Sequence, residues 1–141
     1  MNLTYRIDLA RDDDGTLLVT CPDLPEVTTY GVDEPEARTH AVDAIEEALA
    51  ARIALKQAIP APSSRGRVPV ALPALTVAKA SLYALLRQRK ISRAELARRL
   101  GWKREQVDRL FRLNHASRLD QIEAAFRVLD MRLEFRVRNA A

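Results

Sequence analysis

The stretch that decides the fold of the second half of the chain is residues 92–111, SRAELARRLGWKREQVDRLF. Ser92, with a glutamate three residues later, is a capping box and predicts that a helix begins here. Gly101 allows a tight turn, and a second helix is predicted over residues 103–113. The small Ala97, the glycine and the branched residues of the second helix have the spacing of a helix-turn-helix, the motif that places its second helix in the DNA major groove. The alternative is a plain helical hairpin.

The candidate DNA contacts lie at the start of that second helix and on its outer face, which the helical period assigns to Glu105, Arg109 and Arg112, with Gln106 beside them. Its inward residues are predicted to be Val107, Leu110 and Phe111. Arginine pairs with guanine and glutamine with adenine, so the expected base contacts are Arg104, Gln106 and Arg109. The expected phosphate contacts are Lys103, Arg93 and Arg118. The alternative is that this face carries only two surface ion pairs, Glu105 with Arg109 and Asp108 with Arg112.

Outward from this motif, the first half of the chain predicts strands followed by a helix. Polar and apolar residues alternate from Leu3 to Ala10, an Asp-Gly turn follows, and Leu17 to Cys21 returns as a hairpin partner. A third strand is predicted over Val27 to Tyr30, and Asp33 is a good N-cap for the next helix. The expected fold class is therefore α+β, with an N-terminal β-β-β-α unit.

The proline-rich stretch 59–75 separates the two halves, whose charges are opposite. Residues 1–58 hold 12 acidic and 5 basic residues, a net charge of −7, whereas residues 59–141 hold 7 acidic and 18 basic residues, a net charge of +11. We expect a domain over 1–58, extending to 72 if residues 68–72 add an edge strand, and a helical domain over 76–141. The basic half favours a polyanion and the acidic half a different partner.

After a closing helix over residues 119–129, the end of the chain predicts a strand. Four apolar residues alternate with charged ones: Met131, Leu133, Phe135 and Val137. A lone strand is unstable, so we expect this one to pair with its copy in a second subunit and form a homodimer or a higher homo-oligomer. The alternative is that it joins the N-terminal sheet of its own chain.

Several classes of protein are disfavoured by composition. No apolar run approaches the roughly 20 residues of a membrane span, and the N-terminus lacks the layout of a signal peptide, so a cytoplasmic location and no membrane contact are expected. Cys21 is the only cysteine, and the two histidines, His40 and His115, lie far apart in the sequence. We therefore expect no metal and no cofactor.

The chain resembles the HicB antitoxins, in the branch with a C-terminal helix-turn-helix. The N-terminal residues that carry the resemblance are Cys21-Pro22-Asp23-Leu24-Pro25, Thr28-Thr29-Tyr30-Gly31, and Glu36-Ala37 through Glu47-Ala48-Leu49. The C-terminal ones are Lys79-Ala80-Ser81-Leu82-Tyr83, Glu95 to Gly101, Val107-Asp108-Arg109-Leu110, His115-Ala116-Ser117 and Leu119-Asp120. Where the family often has Gly-Cys after its Pro-Asp-Leu-Pro, this chain has Glu26-Val27.

The resemblance implies a partial RNase H-like N-terminal fold without the nuclease chemistry, so no enzyme. It further implies a HicA-type toxin partner that cleaves mRNA, and repression of a shared operon through duplex operator DNA. The acidic half and its loops then provide the expected toxin contacts, which are Asp23, Glu26, Tyr30, Glu46 and Glu47.

Two other functions compete with this interpretation. One is a one-component transcriptional regulator whose N-terminal domain senses a small molecule, which requires an apolar pocket with convergent polar groups. The other is a metal-dependent nuclease, which requires carboxylates that converge from several strands. Its candidates are Asp8, Asp12, Asp13, Asp14 and Asp23, three of which lie in one hairpin turn.

Overall fold

The computed structural model describes residues 2–140 and confirms the α+β class. In chain order the elements are β1 Tyr5–Arg11, β2 Leu17–Thr20, β3 Thr28–Gly31, α1 Glu34–Ala54, β4 Val68–Val70, α2 Ala74–Arg89, α3 Arg93–Leu100, α4 Arg104–Leu110 and α5 Leu119–Arg127. The order predicted for the first four elements and for the helix-turn-helix is confirmed, with boundaries that differ by a few residues.

The four strands form one antiparallel sheet in the order β3-β2-β1-β4. The predicted edge strand is present: β4 pairs with β1, with Tyr5 opposite Val70. Pro69 lies in this three-residue strand, which has a neighbouring strand on one side only. Proline has no backbone N–H to donate, and an edge strand tolerates this because one of its sides makes no hydrogen bonds within the sheet. A domain that ended at residue 58 would therefore lack one strand of the sheet.

Helix α1 covers one face of the sheet. It begins where predicted, because Asp33 Oδ1 accepts a 2.9 Å hydrogen bond from the Glu36 backbone N–H. Its buried residues from Ala37 to Leu49 belong to the core of the sheet, whereas Ile53 belongs to the core of the helices α2 to α5. Since one helix contributes to both cores, α1 joins the two halves of the molecule by direct packing.

The proline-rich stretch 59–75 is tied to the sheet over much of its length. The Tyr5 hydroxyl donates to the Pro60 carbonyl at 2.7 Å, and the Arg6 Nε donates to the Gly66 carbonyl at 2.8 Å. β4 follows at once. The boundaries of a separate linker at 59–75 stay a prediction.

Helices α3 and α4 are the two helices of the predicted helix-turn-helix, and they share a core with α2 and α5. Ser92 Oγ accepts from the Glu95 N–H at 3.0 Å and caps α3, as predicted. Gly101 ends α3 at φ 69°, the left-handed conformation that glycine adopts without steric cost. Val107, Leu110 and Phe111 are buried, which confirms the predicted inner face.

The C-terminal segment differs from the prediction. Residues 131–140 form no strand in the described chain, because neither edge of the sheet, β3 or β4, pairs with them. The alternative that Met131 to Val137 joins the N-terminal sheet is therefore wrong. Residues 131–135 instead lie beside α2 and Phe126, where they line a shallow cleft. A strand needs a hydrogen-bonded partner, so pairing between two subunits stays a prediction.

Within residues 2–140, no helix combines the length and the apolar character that a membrane crossing requires.

Candidate nucleic-acid interface and acidic helix face

Helix α4 presents the predicted DNA-contacting residues to solvent. Lys103, Arg104, Gln106 and Arg109 are all exposed, whereas Val107 and Leu110 of the same helix are buried. The packing of α4 thus leaves the predicted base contacts accessible to a ligand, with Arg109 farthest from the buried side.

The ion pairs on this surface differ from the two pairs that were predicted, Glu105 with Arg109 and Asp108 with Arg112. Asp108 Oδ1 accepts from the Arg104 Nε at 3.1 Å and from Arg93 at 3.3 Å. Burial alone raises the pKa of the Asp108 carboxyl, but these two guanidinium groups hold it below its ordinary value. Within residues 2–140, Arg109 forms no ion pair, so its guanidinium is available to a ligand.

Two other predicted contacts have roles within the protein. Gln106 Oε1 accepts from the Lys103 N–H at 3.0 Å and closes the first turn of α4, which leaves the amide nitrogen to meet a base. Arg118, just before α5, forms an exposed ion pair with Asp120 at 2.9 Å. An exposed pair of this kind contributes little to stability and is easily exchanged for a phosphate.

Lys79 on α2 was missed by sequence reasoning. Its side chain is fully buried, and Nζ donates to the carbonyl oxygens of Arg109 at 3.0 Å, Arg112 at 2.7 Å and His115 at 2.6 Å. Burial lowers the pKa of the Lys79 ammonium to about 8. The three carbonyls belong to the end of α4 and the loop that follows, so Lys79 fixes the position of α4.

The predicted toxin contacts lie in different environments. The Asp23 side chain is only 3% exposed and accepts from the Ser63 N–H and Oγ, both at 2.8 Å, and from Arg65 at 2.9 Å. The Ser63 bonds, followed by that of Arg65, lower the pKa of the Asp23 carboxyl. Asp23 therefore holds the 59–75 stretch against the loop after β2, and its carboxylate is already satisfied.

Glu26 and Glu46 are also engaged within the chain. Glu26 forms a two-bond pair with Arg52 in the last turn of α1, at 2.7 and 3.0 Å. The Thr76 hydroxyl donates to Glu46 Oε2 and connects α1 with α2. The side chains of Tyr30 and Glu47 are exposed and have no hydrogen bond within residues 2–140.

The outer face of α1 carries an acidic stripe, of which only Glu47 was among the predicted toxin contacts. Glu36, His40, Asp43 and Glu47 follow a 4-3-4 spacing, which places them on one side of a helix. Asp43 and Glu47 are exposed, whereas Glu36 accepts from the Val32 N–H at 2.6 Å. The spacing was the signal that would have added Asp43 to the predicted contacts.

A groove separates this helix from the helix-turn-helix. It has a volume of about 660 Å³, with Glu46, Glu47 and Ile53 on one wall and Arg93, Phe111 and Arg112 on the other. A partner bound to the acidic side of α1 would therefore lie next to α3 and the end of α4.

The five aspartates considered for a nuclease do not form a site. Asp8 accepts from the Arg67 N–H, Asp14 accepts from Thr16 in the hairpin turn, and Asp23 is satisfied as described. Over residues 2–140, no group of three or more His, Cys, Asp or Glu side chains is placed to hold a metal ion.

Comparison with known proteins gives one consistent family. Residues 4–81 match the model of the HicB-like antitoxins of bacterial toxin–antitoxin systems. Antitoxin HicB 2 of Photorhabdus laumondii is 35% identical over 94% of this chain and 95% of its own length. Antitoxin HicB of Escherichia coli K12 is 30% identical over 93% and 96%, and antitoxin HicB of Pseudomonas fluorescens is 46% identical over 49% and 47%. The chain belongs to the HicB-like family of bacterial antitoxins.

Proposed function

We propose that this chain is a cytoplasmic type II antitoxin that binds and neutralises a HicA-type mRNA-cleaving toxin and represses its own operon through helix-turn-helix binding. It acts by binding and not as an enzyme. The observation that carries the proposal is the presence of two oppositely charged faces, the acidic stripe of α1 and the basic surface of α4, on one chain of this family.

The DNA-binding part is supported by the geometry of α4. Arg109 projects from the exposed face without an ion-pair partner in the described chain, and Arg104 is held in place by Asp108. Preorganised arginines lose less side-chain entropy when they bind a base or a phosphate. We propose Arg104, Gln106 and Arg109 as base contacts, with Lys103, Arg93 and Arg118 on the backbone.

The toxin-binding part is supported by the exposed acids of α1. A ribonuclease must attract RNA phosphates, so its surface is expected to be basic and complementary to Asp43 and Glu47. Tyr30, an exposed aromatic residue at the end of β3, would add apolar contact area. Glu26 and Glu46 would contribute mainly through their charge, because both carboxylates already have partners.

The experiment that tests the proposal separates the two activities in the full-length chain. The double variant Asp43→Lys/Glu47→Lys should weaken neutralisation of the HicA-type toxin, read as RNA cleavage, by at least about tenfold and leave operator binding intact. Arg109→Ala should leave toxin neutralisation intact and weaken operator binding by about 1–3 kcal/mol. The matched control is Asp12→Lys/Asp13→Lys, an equal charge change in the exposed hairpin turn.

Each result bears on one half of the proposal. Full toxin neutralisation by the Asp43→Lys/Glu47→Lys chain would remove the acidic stripe from the toxin interface. Unchanged operator affinity of the Arg109→Ala chain, at fixed salt, would remove Arg109 from the base contacts.

A further inference from the structure

A second basic surface continues from the recognition helix across the molecule. Five cationic residues, which we call the cationic strip, border a groove of about 370 Å³: Lys56, Arg87, Lys90, Arg93 and Arg104. They come from the end of α1, the end of α2 and the starts of α3 and α4. Three of them, Lys56, Arg87 and Lys90, lie outside the predicted helix-turn-helix contacts.

The strip is joined to α4 by direct contacts. Arg104 and Arg93 share the carboxylate of Asp108. The Arg93 guanidinium carbon lies over the Phe111 ring, 4.6 Å from its centre, which is a cation–π contact. Arg104 and Arg93 are therefore fixed relative to α4.

Aromatic rings beneath the strip connect it with the end of α1. The Phe111 and Tyr83 rings meet edge to face, with centroids 6.4 Å apart. Arg87 lies 5.9 Å from the centre of the Tyr83 ring and donates to the Lys56 carbonyl at 2.7 Å. A continuous series of contacts thus connects Arg104 with Lys56.

The charge of the groove is strongly unbalanced. No carboxylate is among the residues that line it, and Asp108 is the one acid that pairs with cations of the strip in the described chain. The side chains of Lys56 and Lys90 are exposed and form no ion pair within residues 2–140. Five cations with one bound carboxylate form a surface for a polyanion.

We propose that the cationic strip binds the phosphodiester backbone of operator DNA beyond the contacts of α4, an inference that rests on the proposed function. DNA fits because Arg104 and Arg93 are both proposed DNA contacts and members of the strip, joined through Asp108, so a duplex that they hold reaches the strip. Phosphate contacts carry no sequence information, so the strip contributes equally to operator and to unrelated DNA.

The test uses the salt dependence of DNA binding by the full-length chain. The slope of log K against log salt is negative, and each lost phosphate contact reduces its magnitude by about 0.9. The variant Lys56→Gln/Arg87→Gln/Lys90→Gln should reduce the magnitude of the slope by about two to three for each bound chain, both on the promoter fragment of its own operon and on a random duplex of equal length. Arg109→Ala should instead lower the preference for the promoter fragment over the random duplex.

The control variant is Arg11→Gln/Arg67→Gln/Arg127→Gln, which removes the same charge from exposed positions outside the strip. It should keep the wild-type slope, and circular dichroism should show that both triple variants remain folded. If the strip variant keeps the wild-type slope while Arg109→Ala loses promoter preference, the strip is excluded and the proposed function stands. If the wild-type chain binds neither duplex, the DNA-binding function fails and the strip with it.

Discussion

Lys79 Nζ lies 2.7 Å from the carbonyl oxygen of Arg112, and this bond fastens the loop after α4 to α2. The ammonium also donates to two neighbouring carbonyls, so its three hydrogens are all used. Because the side chain is fully buried, the contact lies inside the helical core and is tied to folding.

The first prediction follows from the pKa of this ammonium. Burial lowers the pKa of Lys79 from 10.5 to about 8. Between these two values the unfolded chain holds more protons than the folded one, so the free energy of unfolding rises with pH. Lys79→Met lacks the titrating group. The wild-type free energy of unfolding minus that of the variant should therefore increase by up to about 3 kcal/mol from about pH 8 to about pH 10.5.

Urea denaturation of both chains over this range measures the difference. Burial also raises the pKa of the Tyr5 hydroxyl, and taking the difference between the two chains cancels its effect. Below about pH 8 the difference should be constant. A difference that stays constant up to about pH 10 would show that Lys79 keeps an ordinary pKa.

The second prediction concerns Asp23, whose carboxylate accepts three hydrogen bonds from Ser63 and Arg65. Asp23→Asn removes the charge and should lower the free energy of unfolding by about 1–3 kcal/mol at neutral pH. The folded-state pKa of this carboxyl lies below its ordinary 3.8. Its stabilising effect is therefore complete above that pH and is lost as the pH falls through the lower, folded value.

Denaturation of the wild type and Asp23→Asn at several pH values measures this effect. The difference in stability should shrink below about pH 4. Asp13→Asn makes the same chemical change in the exposed hairpin turn and should change stability by less than about 0.5 kcal/mol. An equal effect of the two substitutions would contradict the role of Asp23 in holding the 59–75 stretch.

The third prediction concerns the close approach of β3 and α1 at Gly31. A Cβ at this position would lie 2.3 Å from the Ala37 backbone nitrogen and 2.5 Å from its Cα. Gly31→Ala should therefore destabilise the chain by about 3 kcal/mol, because helix backbone must move. Gly15→Ala is the control, since its Cβ meets nothing within 4 Å and its cost comes only from φ 86°, about 1 kcal/mol. Equal unfolding midpoints for the two variants would show that α1 shifts freely.

Local signals in the sequence predicted much of this fold. Asp33 and Ser92 each accept the expected N–H bond and begin helices where predicted. Gly101 turns the chain between α3 and α4 as expected. These features depend on residues within four positions of one another, and such signals can be read directly from a sequence.

The rest depends on contacts between distant residues. The acceptors of Lys79 lie 30 to 36 residues away, and the serine that satisfies Asp23 lies 40 residues away. Spacing alone does not distinguish the observed Arg104–Asp108 pair from the predicted Asp108–Arg112 pair, because the residues of each pair are four apart. Arg93 on α3 also approaches Asp108, from 15 residues away in the sequence. The sequence alone contains no signal for such neighbours.

The last prediction is that the C-terminal segment joins two copies of the chain. Its alternating apolar residues include Phe135, which is 53% exposed, and Val137, which is 96% exposed. Apolar side chains on an unpaired segment are a liability unless a partner covers them, and two antiparallel copies would also match a palindromic operator. Deletion from Met131 onward, or Phe135→Asp/Val137→Asp, should therefore lower the sedimentation coefficient and the operator affinity together. The control Asn139→Asp/Ala140→Asp adds the same charge just beyond the apolar residues and should leave both unchanged. A deleted chain that still sediments as the full-length species would place the subunit contact elsewhere.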